Sequence, residues 1–260
     1  MAERDKRRVA RAFSRAADGY DAAARLQREI AHRLMEWLPE QTGSHLLDLG
    51  CGTGYAAPHL HTRYPRATLL HLDLAHGMLA FARAQRPVPG GQYLCGDAEQ
   101  LPLADASVDL IWSSLAVQWC ERPERLLAEL ARVLKPGGRC LLATLGPGTL
   151  HELRQSWAVV DDDVHVNSFV SLMHLLEHNR ELTPVRQETE RRVLRYQRLL
   201  QLMHELKALG AHNVNHRRSQ GLSSRQRLIR LLEAYEDWRG EDGLLPATYE
   251  VYYLELCKEP

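Results

Sequence analysis

The sequence predicts an α/β fold built on a doubly wound parallel sheet. Short apolar segments of strand length alternate with helix-length segments over residues 40–148. The first predicted strand, Leu46–Leu49, runs directly into a glycine-rich turn at Gly50–Gly54, and a helix is expected to begin near Tyr55. A strand, a glycine turn and a helix in immediate succession are typical of a site where a nucleotide-like ligand approaches the backbone closely.

The remaining core elements follow from apolar periodicity. Further strands are expected at Ala67–Leu72, Gln92–Cys95, Ser107–Trp112 and Arg139–Leu145. A helix with an apolar inner face is expected at Arg122–Leu134, before the turn that starts the fifth strand. Because strands and helices alternate, we expect the strands to be parallel, with their carboxyl ends at one edge.

The two ends of the chain are expected to flank this core. A helix is predicted at residues 6–18, with Gly19 just beyond its end, and Asp21 is predicted to cap a second helix. Beyond residue 148 we predict helices, a strand at Val185–Arg195, a helix begun by a capping box at Ser223, and a last strand. The expected division is an N-terminal helical cap (1–39), a cofactor-binding core (40–148), a substrate or lid insertion (149–247) and a final strand (248–260) within one domain.

Composition restricts the possible classes of protein. Lys plus Arg and Asp plus Glu both number 33, so no overall charge indicates nucleic acid or a membrane surface. The sequence shows no secretory signal and no apolar run long enough to span a membrane, and the five scattered cysteines favour a reducing compartment, so we expect a cytoplasmic protein. The closest histidine pairs, His59/His61 and His212/His216, have no third ligand at a convincing spacing, so no metal is expected.

The glycine turn by itself fits two cofactors. Gly52–Ala57 satisfies the dinucleotide pattern G-x-G-x-x-G/A, and Asp48–Gly54 satisfies the pattern D-x-G-x-G-x-G of S-adenosylmethionine enzymes. A pyrophosphate needs only the bare N-terminus of the helix, whereas a methionine tail carries an ammonium that needs an acceptor. Asp48, with nearby carbonyls, is expected to be that acceptor, and Gly50, Gly52 and Gly54 are expected to leave room for the ligand.

Acidic residues after the next strands favour S-adenosylmethionine. Asp73 follows the second predicted strand and is expected to accept hydrogen bonds from the ribose hydroxyls, beside Leu74. Met78 lies within reach of a flat base edge. Asp97 is expected to accept from the adenine amine, while the Ala98 amide faces a ring nitrogen. A dinucleotide would require neither Asp48 nor an acid at Asp97.

The motifs resemble class I S-adenosylmethionine-dependent methyltransferases, whose fold is Rossmann-like. That resemblance covers roughly residues 40–145. Further segments resemble the malonyl-acyl-carrier-protein O-methyltransferases of biotin synthesis, namely Arg11–Ala17 with Tyr20, Leu26–Arg28, the loop Ser114–Cys120, and in the tail Glu205–Ala211 with Asn213, Leu222–Ser223 and Thr248–Tyr249. The resemblance implies methyl transfer from S-adenosylmethionine to the free carboxylate of a malonyl thioester. The products are S-adenosylhomocysteine and a methyl ester that primes pimeloyl synthesis.

The same resemblance supplies candidate residues for the acceptor side. Tyr20, Gln118 and Trp119 are expected to shape the catalytic site, and Arg15 is expected to clamp a carboxylate of substrate or cofactor. Ser113 and Leu115 are expected beside the cofactor, in the loop after the fourth strand. A carboxylate is already ionised at pH 7, so this chemistry needs no general base.

The C-terminal insertion contains a basic segment between residues 186 and 230. Its eleven arginines and lysines accompany only three acidic residues, Glu188, Glu190 and Glu205. Such a segment in a neutral protein suits docking of an acidic acyl-carrier protein, although a solvated helix face would look the same. Two alternatives stay open: a methyltransferase acting on another small acid or a quinone-type acceptor, and a cofactor-binding protein without turnover.

Overall fold

The structure is a computed structural model of the chain, and it describes residues 5–211 and 224–260. In chain order the elements are α1 (Lys6–Ala23), α2 (Arg25–Met35), β1 (His45–Leu49), α3 (Ala57–Arg63), β2 (Thr68–Asp73), α4 (His76–Gln85), β3 (Gln92–Cys95), β4 (Val108–Ser114), a 3₁₀ turn (Val117–Trp119), α5 (Pro123–Val133), β5 (Leu134–Leu145), α6 (His151–Ala158), α7 (Leu172–Glu177), β6 (Leu182–Tyr196), α8 (Leu199–Ala208), α9 (Ser224–Glu236) and β7 (Leu245–Lys258).

The strands form one seven-stranded sheet in the order β3-β2-β1-β4-β5-β7-β6. The first five strands are parallel, as predicted, whereas β7 is antiparallel to both β5 and β6. The prediction of a doubly wound α/β fold is therefore confirmed, and the sheet is mixed because its last two strands pair antiparallel at one edge.

Apolar side chains on both faces of the sheet explain why helices cover both faces. In β1, Leu46 packs into one core cluster with Ile30 and Leu60, while Leu47 packs into a second cluster with Leu126. Side chains alternate between faces along a strand, so a strand with apolar residues at consecutive positions can be buried only between two layers. The mainly apolar sequences of β1, β2 and β4 follow from this arrangement.

Several predicted boundaries were wrong. Helix α1 continues through Gly19 and Asp21 to Ala23, so Gly19 does not end the helix and Asp21 does not cap the next one. Side-chain contacts of Asp21, described below, account for the extra turn. Strand β5 begins at Leu134, so the Lys135–Gly138 segment belongs to the strand and not to a turn before it. The proposed cap Ser223 lies outside the described residues.

The segment predicted as an insertion, residues 149–247, also contributes to the sheet. Its strand β6 pairs with β7 along residues 182–196, and its helix α6 packs near α9 and β7. The division of the chain into four segments stays a prediction. Among the helices in the described ranges, none combines the length and the apolar character that crossing a membrane requires.

The fold places the carboxyl ends of β1, β2, β3 and β4 at one edge of the sheet, as expected for parallel strands. Helix α1 packs along α4 beside this edge, where the Gly77 amide donates to Ser14 Oγ at 3.1 Å. A Cβ atom on Gly77 would lie 2.7 Å from Ser14 Cβ, so the close approach of the two helices requires glycine there. The strand ends and α1 together enclose the candidate site.

Candidate active site

The three glycines of the turn after β1 serve three different purposes. All have positive φ, between 55° and 75°. A Cβ on Gly50 would lie 2.1 Å from Ala116 Cβ, and one on Gly54 would lie 2.9 Å from Ala82 Cβ, so these two glycines allow close packing of protein against protein. Around Gly52 a Cβ would meet nothing within 4 Å. Of the three, Gly52 leaves open space that a ligand can occupy.

Asp73 joins the ends of β1 and β2. The amide of Gly52 donates to Asp73 Oδ2 at 2.9 Å, and the amide of Ala75 donates to Asp73 Oδ1 at 2.7 Å. Burial raises the pKa of the Asp73 carboxyl to about 6, although both amide hydrogen bonds oppose the shift. Asp73 therefore holds the glycine turn against the next strand and also faces the cavity as an acceptor.

Asp97 forms an ion pair with a residue that the sequence analysis did not predict at the site. Lys6, at the start of α1, lies 2.6 Å from Asp97 Oδ2 and also pairs with Glu99. Burial opposes the charge of Lys6, but these two partners hold its pKa above the usual value. The first turn of α1 is thereby attached to the loop after β3, and Lys6 shares the carboxylate expected to bind adenine.

A cavity of about 110 Å³ opens at the strand ends. Its wall contains most of the residues predicted to bind the cofactor, namely Gly50, Gly52, Asp73, Leu74, Met78, Asp97, Ala98 and Leu115. It also contains Lys6, Val9 and Ala10 from the first turns of α1, which the sequence analysis missed because the resembling segment of α1 begins only at Arg11. We call this space the donor cavity.

Four predicted cofactor residues do not line the donor cavity. Asp48 is fully buried, with Oδ2 3.3 Å from Nδ1 of His71 on the neighbouring strand. Ser113 is also buried, and its Oγ donates to the Leu49 carbonyl at 2.7 Å. Gly54 packs on α4, and Arg15 is exposed on α1. In this structure Asp48, Ser113 and Gly54 support the binding loop from behind.

A second cavity, of about 440 Å³, adjoins the donor cavity. Four residues, Phe13, Tyr20, Leu115 and Trp119, line both spaces and separate them. The rings of Phe13 and Trp119 pack edge to face with centroids 5.1 Å apart, and Tyr20 lies beside Phe13. We call the larger space the acceptor cavity. Tyr20 and Trp119, both predicted, lie at the boundary between the two cavities.

The acceptor cavity is assembled from segments far apart in sequence. Gln118 lines it as predicted, and the lining residues that the sequence analysis did not name as site candidates include Gln27, Thr149, Leu150, Leu153, Trp157, His165, Asn167, Phe169, Met203, Leu206, Leu228 and Tyr249. Most of these side chains are apolar. Each comes from α2, from the segment after β5 or from β7, so no local spacing relates one to another, and only the folded chain shows the cavity.

Tyr20 cannot act as a base at neutral pH. Burial, reinforced by the charges of Asp73 and Asp21, raises the pKa of its hydroxyl well above the usual value of about 10. The hydroxyl is therefore protonated and available as a hydrogen-bond donor. Helix α1 holds Tyr20 in place through the next residue, because Asp21 accepts from Thr53 Oγ1 at 2.8 Å and pairs with Arg86 at 2.5 Å.

Several arginines of the basic segment 186–230 form ion pairs and are therefore less available to a docking partner than the sequence suggests. Acids distant in sequence pair with several of its arginines: Arg192 with Glu29, Arg195 with Asp242, and Arg227 with Asp161. Exposed residues with no acidic partner among the described residues include Arg191, Lys207, Arg225 and Arg230. Arg217 and Arg218 lie outside the described residues.

Two groups of described residues bring possible metal ligands within 4.8 Å of one another. The first is Asp48, Cys51 and His71, and the second is Asp161, Asp163 and His165. The second group already contains a cation, because Arg227 pairs with both aspartates. The expectation of no metal stays a prediction.

Comparison with known proteins agrees with this geometry. Residues 47–142 match a family model described as a methyltransferase domain. A geranyl diphosphate C-methyltransferase from Streptomyces coelicolor, solved with S-adenosyl-L-homocysteine, shares the fold with a TM-score of 0.55 at 17% identity, covering 90% of this chain and 80% of that one. The fold, the glycine turn and Asp73 thus define a methyltransferase domain of the S-adenosylmethionine-dependent class.

Closer relatives identify the family. The chain is 45% identical over 264 residues to a malonyl-[acyl-carrier protein] O-methyltransferase from Laribacter hongkongensis, covering 96% of this chain and 88% of that protein. The chain belongs to the malonyl-[acyl-carrier protein] O-methyltransferase family. It is also 52% identical to the biotin biosynthesis bifunctional protein BioHC of Cellvibrio japonicus over 98% of its own length, but it spans only 50% of that longer relative.

Replacing Gly52 by alanine should weaken cofactor binding, while its cost in folding free energy should equal that of a control replacement at Gly90. Gly52→Ala and Gly90→Ala both place a Cβ at positive φ in open space, so each should cost about 1–2 kcal/mol of folding free energy. Only Gly52 faces the donor cavity. Calorimetry should show the dissociation constant for S-adenosylmethionine rising tenfold or more in Gly52→Ala alone. Equal affinities in the two variants would contradict this function of Gly52.

Affinity for S-adenosylmethionine should fall as the pH is lowered through about 6. Ribose hydroxyls need the ionised Asp73, and below its pKa of about 6 the affinity should fall about tenfold per pH unit. Asp73→Asn should bind weakly and lose this pH dependence, so titrations of both proteins between pH 5 and 8 isolate the contribution of Asp73. The exposed Asp105, changed to Asn, serves as the control.

The same pKa predicts how Asp73 affects folding. Because its folded-state pKa lies above the usual value, ionisation of Asp73 reduces stability as the pH rises through this range. Asn keeps only one of the two oxygens that accept from the Gly52 and Ala75 amides, so Asp73→Asn should melt earlier than wild type. Its melting temperature should, however, lack the decrease that Asp73 ionisation contributes in wild type as the pH rises through about 6. The same pH dependence of melting in both proteins would contradict the raised pKa of Asp73.

Proposed function

We propose that this protein transfers the methyl group of S-adenosylmethionine to the free carboxylate of a malonyl group carried as a thioester on acyl-carrier protein. The products are a methyl ester and S-adenosylhomocysteine. The observation that carries the proposal is the pair of adjoining cavities, which share the wall of Phe13, Tyr20, Leu115 and Trp119. Membership of the malonyl-[acyl-carrier protein] O-methyltransferase family supports the choice of acceptor.

The residues of the donor cavity suit S-adenosylmethionine. Open space at Gly52 admits a ligand against the backbone, and Asp73 supplies an acceptor for ribose hydroxyls. Met78 offers an apolar surface to a base, and Asp97 offers an acceptor for an exocyclic amine. When bound, the cofactor supplies an electrophilic methyl group on a sulfonium.

The protein's own contribution is to position the acceptor and exclude water. A malonyl carboxylate is ionised at neutral pH, so no side chain has to remove a proton from it. Tyr20 keeps its proton and can donate a hydrogen bond to a carboxylate oxygen. The aromatic wall of Phe13 and Trp119 restricts where the acceptor can meet the donor cavity. Alignment of this kind can supply a large part of the rate enhancement.

The acceptor cavity is large for a malonyl group alone. At about 440 Å³ and with mainly apolar walls, it can also hold part of the flexible thioester arm that presents the malonyl group. An arm of that kind would connect the buried site to a carrier protein at the surface. We propose that the carrier docks on the basic surface within residues 186–230.

Methyl-ester formation is the test of the proposed reaction. Purified protein with S-adenosylmethionine and malonyl-acyl-carrier protein should yield a base-labile methyl ester, detected by intact-mass spectrometry of the carrier. Tyr20→Phe should lower kcat about tenfold or more, since one hydrogen bond to a charged group contributes about 1.5–3 kcal/mol. Its cofactor affinity should change little.

Other outcomes would identify other functions. Methylation of an unrelated small acid or a quinone-type acceptor, with no malonyl ester, would favour the alternative acceptor class. Cofactor binding with no methylated acceptor would refute the proposed reaction and favour a binding protein without turnover.

Charge reversal on α9 should weaken use of the carrier-bound substrate selectively. Arg225 and Arg230 are exposed there and have no acidic partner among the described residues. The double change Arg225→Glu/Arg230→Glu should raise KM for malonyl-acyl-carrier protein fivefold or more at low salt, and this effect should shrink at high salt. KM for malonyl-pantetheine, which lacks the carrier, should not change.

A matched double change tests whether net charge alone is responsible. Arg63, the last residue of α3, and Arg66, between α3 and β2, are also exposed. Arg63→Glu/Arg66→Glu alters the net charge equally and should leave both KM values unchanged. Similar effects of the two double variants would contradict docking on α9.

A further inference from the structure

The described residues that line the acceptor cavity offer few charged groups to an anion. Of the described residues that line it, none is a lysine or an arginine. His165 lines the cavity, but its Nε2 lies 2.7 Å from Asp161 Oδ1, so this ring is already paired with a carboxylate. From the part of the chain that the structure describes, the donors available to the malonyl carboxylate are therefore largely neutral.

Two of the neutral groups in the wall already hold the protein backbone. Gln118 Nε2 donates to the Leu115 carbonyl at 2.7 Å, which fixes the loop after β4. Thr149 Oγ1 donates to the Glu250 carbonyl and accepts from the Glu250 amide. These contacts use the polar ends of both side chains to shape the cavity wall.

Gln27 differs from both residues. It lies on α2 and lines the acceptor cavity together with Tyr20. Its Oε1 is buried and has no hydrogen-bond partner within residues 5–211 and 224–260. A buried amide end left unsatisfied costs about 1–3 kcal/mol, and the cost is recovered when a bound ligand supplies the partner. Gln27 is half-buried overall.

We propose that the carboxamide of Gln27 binds the acceptor carboxylate and determines specificity for it. Rotation about the last side-chain torsion exchanges Oε1 and Nε2, so the amide can present N–H donors to the cavity. One such donor, with the Tyr20 hydroxyl, holds one carboxylate oxygen and leaves the other facing the methyl group. This inference rests on the proposed function and adds the residue that recognises the acceptor.

A neutral amide suits this reaction better than an arginine. Transfer of a methyl group from a sulfonium to a carboxylate cancels a positive and a negative charge. A fixed cation would stabilise the reactant carboxylate more than the transition state, in which that charge is decreasing, and would raise the barrier. An amide orients the oxygen with a weaker preference for the fully charged reactant.

Two variants of Gln27 test the proposal, with malonyl-pantetheine as acceptor so that carrier docking has no influence. Gln27→Met keeps the volume and removes the donors, and it should raise KM about tenfold or more, the loss of one hydrogen bond to a charged group. Gln27→Glu adds a negative charge beside the carboxylate and should raise KM further. In both variants the dissociation constant for S-adenosylmethionine should stay within twofold of wild type, which also shows that they fold.

Gln92→Glu is the control, because Gln92 is exposed on β3 and lines neither cavity. Its KM should equal that of wild type. Gln27 also lines a recess behind the glycine turn with Gly52 and Thr53, so its variants could instead weaken cofactor binding. Weaker cofactor binding with unchanged KM would overturn the proposal, as would unchanged values for both.

The activity of the wild-type protein distinguishes failure of this inference from failure of the proposed function. An inactive wild type would refute the proposed reaction and, with it, this assignment of Gln27. An active wild type with a normal KM in both Gln27 variants would refute only the assignment of Gln27.

Discussion

The site depends on the attachment of helix α1 to the carboxyl-terminal edge of the sheet. Lys6 pairs with Asp97 after β3, and Asp21 binds the glycine turn through Thr53 and the end of α4 through Arg86, the residue that follows the helix. Between these two ends, α1 carries Phe13 and Tyr20 into the wall that separates the cavities. Without those attachments the donor cavity would be an open groove at the strand ends, and the acceptor would have no defined approach to it.

The sequence predicted the residues whose position follows from local geometry. Gly52 and Asp73 could be predicted because a parallel sheet brings its strand ends to one edge, wherever the helices lie. Asp48 was expected to reach the ligand, but its side chain leaves β1 on the same face as Leu46 and meets His71 of β2. Side chains alternate between the two faces of a strand, so the position of Asp48 within β1 decides which way its carboxylate points. The spacing of the motif does not show whether that carboxylate can reach a ligand beyond the end of the strand.

The acceptor side could be predicted only in part, for a different reason. Tyr20, Gln118 and Trp119 were found through resemblance to a family. Gln27 lies in a segment that carries the same resemblance but was given no role, and His165 had no signal in the sequence. The acceptor cavity is lined from α2, the 3₁₀ turn and the segment after β5, so its shape depends on packing over long distances in sequence. The same holds for the basic segment: its acidic partners Glu29 and Asp242 come from outside it, and no charge count along the segment includes them.

The electrostatics of the two cavities differ in a way that suits the proposed chemistry. The donor cavity has carboxylates, Asp73 and Asp97, which favour a ligand carrying positive charge and hydroxyl donors. The described walls of the acceptor cavity are mainly apolar or carry neutral amides, so an anion would find few charged partners among these residues. A sulfonium bound in the donor cavity would then be its main counter-charge. Because the anion would find few other charged partners there, attraction between the two opposite charges would bring the reacting groups together. The wall of Phe13 and Trp119 would define where they meet.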